Sequence, residues 1–133
     1  MLLGEYEHSL TKGNRLTLPS KIRNEIGGNE VVLAKGFEAC ILGYQKSVWE
    51  EMAKTELVKP LSEAEGRKIR RQLFSGAVLA EIDQQGRLVI PANLLKHAGI
   101  KAEGLIIGAG DHFEVWENER WQEYFKKISK ENA

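Results

Sequence analysis

The sequence is poor in the features that anchor or cross-link many proteins. It has one cysteine, Cys40, among its 133 residues, so no disulfide can close within the chain, as suits a reducing cytoplasm. No apolar run approaches the ~20 residues that a membrane helix needs. The opening MLLGEYEH has neither the basic start nor the apolar stretch of a signal peptide. We therefore expect a cytoplasmic protein with no membrane partner.

Net charge is absent as well, because 19 Lys and Arg residues balance 19 Asp and Glu residues. By itself this balance argues against a strongly basic nucleic-acid binder. The charges are nevertheless uneven. Residues 12–24 contain four basic residues and no acid, residues 84–96 contain two and no acid, and residues 111–123 contain five acids. One short acid-free window is common by chance, but two at corresponding places indicate a basic surface that occurs twice.

A recognisable catalytic or metal-binding pattern is also missing. The three histidines are His8, His97 and His112, and none lies in an HExxH or similar metal-ligand spacing. His112 falls in an alternating strand pattern, which favours a satisfied strand position over a ligand. The GAG at 108–110 is too short for a phosphate loop, and no Ser or Cys has a His partner with local support. We expect no enzyme, cofactor, metal ion or small-molecule substrate.

What the sequence does have is a repeat. RLTLP at 15–19 returns as RLVIP at 87–91, and shifting the chain by 72 residues without a gap aligns many further positions. The aligned pairs include Gly4 with Gly76, Gly27 with Gly99, Leu33 with Leu105, Gly36 with Gly108 and Trp49 with Trp121. A run of matches in one register indicates an internal duplication. Each copy has about 48 residues, close to the size at which a separate core is marginal. We expect the copies to bury their apolar faces against each other.

Each copy predicts the same order of elements: strand, turn, strand, short helix, hairpin, helix. Asn14 and Gly86 occupy the same turn position, and Asn and Gly are the residues that most readily accept positive φ. Pro19 and Pro91 suit the first position of the short helix, and the aligned glycines 27 and 99 suit its C-terminal cap. The two turns are therefore expected to share one geometry, each just before an arginine.

The remaining helices are predicted from capping-box spacings. Ser47 and Glu50 have this spacing, and Ser62 and Glu65 open a helix between the copies. That helix carries RKIRR at 67–71, which we interpret as a solvated face, with contact to phosphate or to another subunit as the alternative. The sequence predicts an α+β molecule with pseudo-twofold symmetry, in which interleaved hairpins close a small barrel without a free edge.

The candidate binding feature is an Asp-x-x-x-Arg turn. It is intact from Asp83 to Arg87 and reads Thr11 to Arg15 in the first copy. A carboxylate four residues before an arginine can hold the guanidinium by a charge-assisted hydrogen bond. An arginine held in this way loses less freedom on meeting DNA. The alternative is that both arginines are hairpin salt-bridge residues with no ligand.

Several stretches together resemble one family, MraZ. They are LGEYEHSL and RLTLP near the start, LFSGAV at 73–78, the pattern D.QGR..IP at 83–91 and FEVWENERW at 113–121. The resemblance covers nearly the whole chain. It implies two SpoVT-AbrB-like domains, at 5–47 and 76–119, joined by a connecting helix region at 53–75. It also implies a swapped-hairpin, double-split β-barrel with flanking helices, and a ring-shaped homo-oligomer.

The resemblance further implies a DNA-binding transcriptional regulator associated with the nucleoid. Its partner would be double-stranded DNA, at short direct repeats in the promoter of the division and cell-wall gene cluster that includes its own gene. Repression is the favoured direction, although the sequence does not give it. Carried over by position, the DNA-facing residues are Arg15, Arg87, Asp83, Lys12 and Thr11. Thr11 departs from the acidic pattern, so we expect Arg15 to be less firmly held than Arg87.

Two other classes of function compete with this interpretation. Some AbrB-like proteins resemble antitoxins that bind a toxin through a disordered tail, but only KKISKENA follows Phe125 here. An enzyme would need a deep pocket with perturbed titratable groups. Neither alternative explains why the basic turn occurs twice, whereas a twofold protein can read a twofold or repeated ligand.

Overall fold

The computed structural model describes residues 1–132, which form an antiparallel sheet flanked by helices. The α+β class is therefore confirmed. The elements are β1 Glu5–Ser9, β2 Arg15–Thr17, α1 Ser20–Ile26, β3 Glu30–Lys35, β4 Cys40–Gln45, α2 Lys46–Leu57, α3 Ala64–Ser75, β5 Val78–Glu81, β6 Arg87–Val89, α4 Ala92–Ala98, β7 Glu103–Gly108, β8 Phe113–Trp116 and α5 Asn118–Glu131. Within this described part of the chain, no helix combines the length and the apolar character that crossing a bilayer requires.

The strands of the two copies interleave in one sheet. Its order is β1-β7-β8-β4-β3-β5, and every neighbouring pair is antiparallel. The first strand of each copy thus pairs with a strand of the other copy, and replacing every strand by its counterpart only reverses the order. Neither copy completes the sheet alone, as expected of copies that bury their faces against each other. Swapped hairpins, a closed barrel and a twofold axis stay predictions.

The ungapped alignment is wrong in one strand. Leu33 pairs with Gly43 in the first hairpin, and Ile106 pairs with Val115 in the second. Since Val115 lies 72 residues after Gly43, Ile106 is the counterpart of Leu33, and the aligned Leu105 is not. The loop after α4 has four residues, 99–102, where the loop after α1 has three, 27–29. A shift of one residue turns every side chain of a strand to the opposite face of the sheet. Leu33 and Ile106 are buried on one face and Leu105 on the other, so burial sets the register although Leu33 and Leu105 are identical residues.

Two apolar layers cover the two faces of the sheet. On one face, α1, α4 and a separate two-stranded ribbon of β2 and β6 pack over the sheet. Ile22 and Leu94 of these helices are buried there with Phe113. On the other face, α2 and α3 lie over β3 and α5 lies over β7. Trp49 and Trp121, which are equivalent in the repeat, are both buried in this second layer. We call this second layer, made of α2, α3 and α5, the helix layer. It holds α2 and α3 at one end of the sheet and α5 at the other.

The short helices start one residue later than predicted. Pro19 and Pro91 precede α1 and α4, with φ of −57° and −58°, and so stand at the N-cap, where the first helical position was expected. Proline lacks the N–H that a helix interior needs, and at the N-cap this absence costs no helical hydrogen bond. Gly27 and Gly99 do cap the C-termini with positive φ, as predicted.

The predicted capping boxes are also wrong. The side chain of Gln45 accepts hydrogen bonds from the backbone N–H groups of Ser47 and Val48, at 2.9 and 3.2 Å, so the last residue of β4 caps α2. Glu63 is the N-cap of α3, with no side-chain capping bond. The region proposed to connect the copies, 53–75, consequently includes the last turn of α2 as well as α3.

Two arginines of the basic run RKIRR form hydrogen bonds with the connection between α2 and α3, although the sequence predicted a solvated face. Arg67 donates to the carbonyl of Leu61 at 2.9 Å, and Arg70 donates to the carbonyls of Leu57 and Lys59 at 2.9 and 3.2 Å. These bonds tie α3 to the connection that follows α2. Of the charged residues in this run, Lys68 and Arg71 are exposed.

Candidate nucleic-acid interface

The ribbon of β2 and β6 presents both arginines on one face. Leu16 pairs with Leu88, and both side chains are fully buried. Because side chains alternate along a strand, the residues on either side of each leucine point outward. The two arginines are diagonal neighbours, with Arg15 opposite Val89 and Arg87 opposite Thr17. Strand spacings place their Cα atoms roughly 8 Å apart.

The second turn holds Arg87 through a carboxylate. One oxygen of Asp83 accepts from the backbone N–H groups of Gln85 and Arg87, each at 2.9 Å, and the other accepts from Nε of Arg87 at 2.9 Å. Gly86 closes the turn with φ of 79°. Within residues 1–132, nothing accepts from the terminal nitrogens of Arg87, and both side chains of the pair are about one-third exposed, 35% and 39%. The guanidinium edge formed by the two terminal nitrogens is thus free, whereas Nε is engaged by Asp83.

These hydrogen bonds also set the charge of the turn. The bond from the Arg87 backbone N–H, aided by those from the Arg87 side chain and from Gln85, lowers the pKa of Asp83 below its ordinary value. Asp83 is therefore charged at neutral pH. Its charge offsets that of Arg87 while it orders the guanidinium.

The first turn differs from the second in both backbone and anchor. Gly13 with φ of 83° adds a second left-handed residue that the second turn lacks, so the predicted shared geometry is wrong. Thr11 N–H donates to the carbonyl of Arg15 at 2.9 Å, as Asp83 N–H does to that of Arg87. Asn14 adopts φ of 57°, so the shared positive-φ position is confirmed. Thr11 Oγ1 donates to the Arg15 carbonyl at 3.3 Å and does not reach the guanidinium. Instead, Nη1 of Arg15 donates to the carbonyl of Lys12 at 3.0 Å. A peptide carbonyl thus takes the place of the carboxylate, and the expectation that Arg15 is less firmly held than Arg87 stays a prediction.

Each turn is fixed by the other copy. The carbonyl of Gly86 accepts from Leu18 N–H, and the carbonyl of Asn14 accepts from Ile90 N–H, both at 2.9 Å. Asn14 and Gly86 are the left-handed residues directly before the two arginines, and each is bonded to the strand end of the opposite copy. The reciprocal bonds set the spacing of the two arginines.

Arg23 is a residue of this surface that the sequence argument did not select. It belongs to α1, yet a Cβ added at Gly86 would stand 2.8 Å from its Nη1 atom, so its guanidinium lies over the second turn. The second copy has Gln84 where the first has Lys12. Each turn therefore has two cations, and the second turn obtains one of them from the first copy. The sequence offers one signal for this role of Arg23. Its counterpart in the repeat, Leu95, is apolar and buried, so an arginine at position 23 departs from the pattern of the repeat.

His112 lies away from this surface, beside Tyr44 in the second apolar layer. His112 stands just before β8, with Nδ1 2.7 Å from Asp111 and Nε2 2.8 Å from Glu114, and its ring stacks on Tyr44 at 4.7 Å. It is satisfied locally, as the sequence predicted. No group of three or more His, Cys, Asp or Glu side chains in the described chain could hold a metal ion. The lone Cys40 is buried, and burial raises the pKa of its thiol.

Comparison with known proteins gives one consistent result. A family model described as "MraZ protein, putative antitoxin-like" matches residues 1–72 and again 73–133. The chain is similar to the transcriptional regulator MraZ of Roseiflexus sp. (strain RS-1), at 41% identity over 92% of this chain and 85% of that protein. It is also similar to the transcriptional regulator MraZ of Syntrophomonas wolfei subsp. wolfei, at 42% identity over 93% and 86%. A solved structure, the solution structure of PHS018 from Pyrococcus horikoshii, is 16% identical with a TM-score of 0.34, covering 86% of this chain and 88% of that one.

Proposed function

Because the chain belongs to the MraZ family, we propose that it regulates transcription by binding DNA through the outward face of the β2–β6 ribbon and its two turns. Its relatives are named transcriptional regulators, so the prediction that it is not an enzyme is confirmed. The observation that carries the proposal is the placement of two anchored arginines, one per copy, on a single exposed face. A two-stranded ribbon is one of the elements that the major groove of B-DNA admits.

The charges around the turns fit this role. Arg15 and Lys12 lie at the first turn, and Arg87 and Arg23 at the second. Arginine binds phosphate oxygens or the O6 and N7 atoms of guanine through two parallel N–H groups, and in Arg87 those groups are free. Thr11 and Asp83 close the two turns through their backbones, and Asp83 also orders the guanidinium of Arg87. A chain of zero net charge can thus offer a basic surface to DNA.

The finer features rest on the family resemblance. They include the SpoVT-AbrB-like domains at 5–47 and 76–119, the swapped-hairpin barrel, and a cytoplasmic, nucleoid-associated location. The target is short direct repeats in the promoter of the division and cell-wall gene cluster, with repression as the direction of control. Repeated sites suit a protein that itself presents the same turn twice.

We also propose a homo-oligomer in which subunits meet head to tail. Exposed apolar residues lie at both ends of the helix layer. At the end with two helices they are in the α2–α3 connection, where Val58 is 80% and Leu61 61% exposed. At the other end Phe125 of α5 is 47% exposed, although its counterpart Ala53 is buried. Two different surfaces at opposite ends make a heterologous contact, which closes into a ring when the rotation permits. The acidic 111–123 segment and the exposed cations of α3 add opposite charges.

The experiment is a footprint on the DNA upstream of the gene, followed by titration of the protected duplex. Wild type should protect repeats spaced by about one helical turn, ~10 base pairs. The double variant Arg15→Ala/Arg87→Ala should lose protection while its circular dichroism spectrum stays unchanged. Lys54→Ala, which removes an exposed cation from the helix layer, should bind as wild type does. Equal binding by the double variant and the wild type would refute the proposed DNA surface.

A further inference from the structure

Two of the four outward side chains on the ribbon carry no charge. Val89 is 52% exposed, whereas the leucines beneath it are fully buried. It pairs directly with Arg15, and its counterpart in the repeat, Thr17, pairs with Arg87. Each arginine thus faces a methyl-bearing residue across the ribbon. On each strand one outward residue is an arginine and the other bears a methyl group, so like residues lie on the diagonals. Side chains paired in this way have Cβ atoms about 5 Å apart.

This alternation differs from what phosphate binding alone requires. A surface that only neutralised phosphates would gain from polar or basic residues at all four positions, because each added contact releases a counterion. Val89 can neither donate nor accept a hydrogen bond. Its exposure therefore matters only to a ligand that presents apolar surface next to a hydrogen-bonding edge.

We propose that Val89 and Thr17 read the C5-methyl groups of thymines next to the positions contacted by Arg15 and Arg87. This inference rests on the proposed DNA-binding function. In the major groove, thymine alone offers a methyl group, and apolar or threonine side chains are its usual contacts. With Cβ atoms about 5 Å apart and base pairs ~3.4 Å apart, each thymine lies one or two base pairs from the arginine contact.

The difference between the two residues predicts an asymmetric preference. Val89 offers methyl groups alone, so its site favours thymine strictly. Thr17 adds a hydroxyl that can donate or accept, so its site tolerates other bases better. The two copies, though related by duplication, would read two half-sites with unequal stringency.

The test replaces single thymines by deoxyuridine in the duplex that wild type protects, because uracil keeps the base pair but lacks the methyl group. Two such replacements, one per ribbon arginine, should each weaken binding about fourfold, the loss expected for one buried methyl group. Val89→Ser should abolish the effect at one position, and Thr17→Ser, which keeps the hydroxyl, should abolish it at the other. The control is Leu79→Ser, since Leu79 is similarly exposed at 53% but lies on the edge strand β5; it should keep the wild-type pattern.

The outcomes separate this inference from the function it rests on. If no deoxyuridine replacement changes affinity while Arg15→Ala and Arg87→Ala still lose binding, the methyl contacts are wrong and the DNA surface stands. If Val89→Ser remains as sensitive to deoxyuridine as wild type, another residue reads the methyl group and the inference also fails. If the arginine variants bind as well as wild type, the proposed function itself is wrong.

Discussion

Arg15 and Arg87 occupy equivalent positions but are anchored by groups of different charge. A carboxylate holds Arg87, whereas the peptide carbonyl of Lys12 holds Arg15. Both hydrogen bonds have a charged donor, but only the one to Asp83 also has a charged acceptor, so we expect Arg87 to be the more firmly ordered. Near the second turn the carboxylate also cancels one positive charge, and the guanidinium of Arg23 restores it. The first turn therefore carries a net charge of +2 from Arg15 and Lys12, whereas the second carries +1 from Arg87 and Arg23 less Asp83.

The role of Asp83 can be tested by removing the carboxylate from the second turn and adding one to the first. Asp83→Ala should weaken DNA binding about as much as Arg87→Ala, because the freed guanidinium must then be ordered on binding. Asp83→Asn keeps an acceptor for the turn N–H groups and should fall between wild type and Asp83→Ala. Thr11→Asp should leave binding unchanged or tighten it. If Asp83→Ala binds more tightly and Thr11→Asp more weakly than wild type, these carboxylates act only by repelling phosphate.

Arg23 gives a second prediction at this scale. Arg23→Gln should weaken DNA binding and reduce the slope of log affinity against log salt by roughly one, the change expected for one lost phosphate contact. Affinity should be measured between about 50 and 200 mM salt. Lys54→Ala serves as the matched control on the other face of the sheet. An unchanged slope for Arg23→Gln would place Arg23 outside the interface.

At the scale of elements, the central strand β8 and the residues just before it carry a polar cluster that only the second copy has. Leu42 of β4 pairs with Glu114 of β8, its counterpart in the repeat. Glu114 accepts from the indole N–H of Trp116 at 2.9 Å as well as contacting His112. The first copy has Cys40 where the second has His112. The cluster therefore gives the two hairpins different pH responses.

The cluster predicts a pH window of stability. Burial opposes the charge on His112, but its hydrogen bonds to Glu114 and Asp111 outweigh burial and raise its pKa above 6.5. Burial likewise opposes the charge on Glu114, but its bonds to His112 and Trp116 lower its pKa below 4.5. A histidine whose pKa is raised in the folded state stabilises the fold at pH values below its unfolded-state pKa. This stabilisation is lost as the pH rises through the folded-state pKa. A carboxyl group whose pKa is lowered in the folded state stabilises the fold at pH values above its unfolded-state pKa. This stabilisation is lost as the pH falls through the folded-state pKa.

The two effects overlap between pH 4.5 and 6.5, the ordinary values of the two groups. In this window His112→Gln should lower the free energy of unfolding by about 1.5–3 kcal/mol, the range of a hydrogen bond to a charged group. Urea unfolding at pH 5.5 and 9 should show a smaller difference at the higher pH. Thr55→Ala, at an exposed position outside the cluster, is the control and should differ from wild type equally at both pH values. An equal loss at both pH values would mean that His112 stabilises the fold by packing alone.

At the scale of the whole molecule, the unequal helix layer decides how subunits can meet. Phe74 of α3 packs on Trp49 with ring centroids 6.0 Å apart. At the other end, Phe125 of α5 itself lies 5.6 Å from Trp121 and remains half exposed. The aromatic pairs beneath, Tyr44 with Trp49 and Trp116 with Trp121, have nearly the same geometry. The duplication thus preserved the inner packing and left the outer surfaces different.

This difference predicts how the proposed assembly can be broken. Phe125→Glu and Val58→Glu should each reduce the oligomer to smaller species in light scattering, because each adds a charge to one side of the same contact. The loss of tethering should lower affinity for DNA with several in-phase repeats by ~10²- to 10⁴-fold, with little change on a single repeat. Leu3→Glu, an exposed apolar position outside both surfaces, is the control. A wild type that is monomeric, or that binds single and multiple repeats equally, would contradict the assembly.

Much of the local structure was determined by the sequence alone. The repeat, the positive φ of Asn14 and Gly86, the glycine caps and the position of each arginine after its turn all follow from residues close together in the chain. The α+β class and the family also followed from sequence patterns. These features depend on backbone preference and spacing, which a chain carries whatever its distant contacts.

The tertiary structure decided what depends on residues far apart in the chain. It placed Arg23 of the first copy over Gly86 of the second, shifted β7 by one residue relative to its counterpart β3, and turned Arg67 and Arg70 back to their own loop. No local pattern distinguishes these arrangements, because burial of a whole strand face and the crossing of strands between copies determine them. The sequence singled out the arginines, whereas the pairing of β2 with β6 across the two copies brought them onto one face.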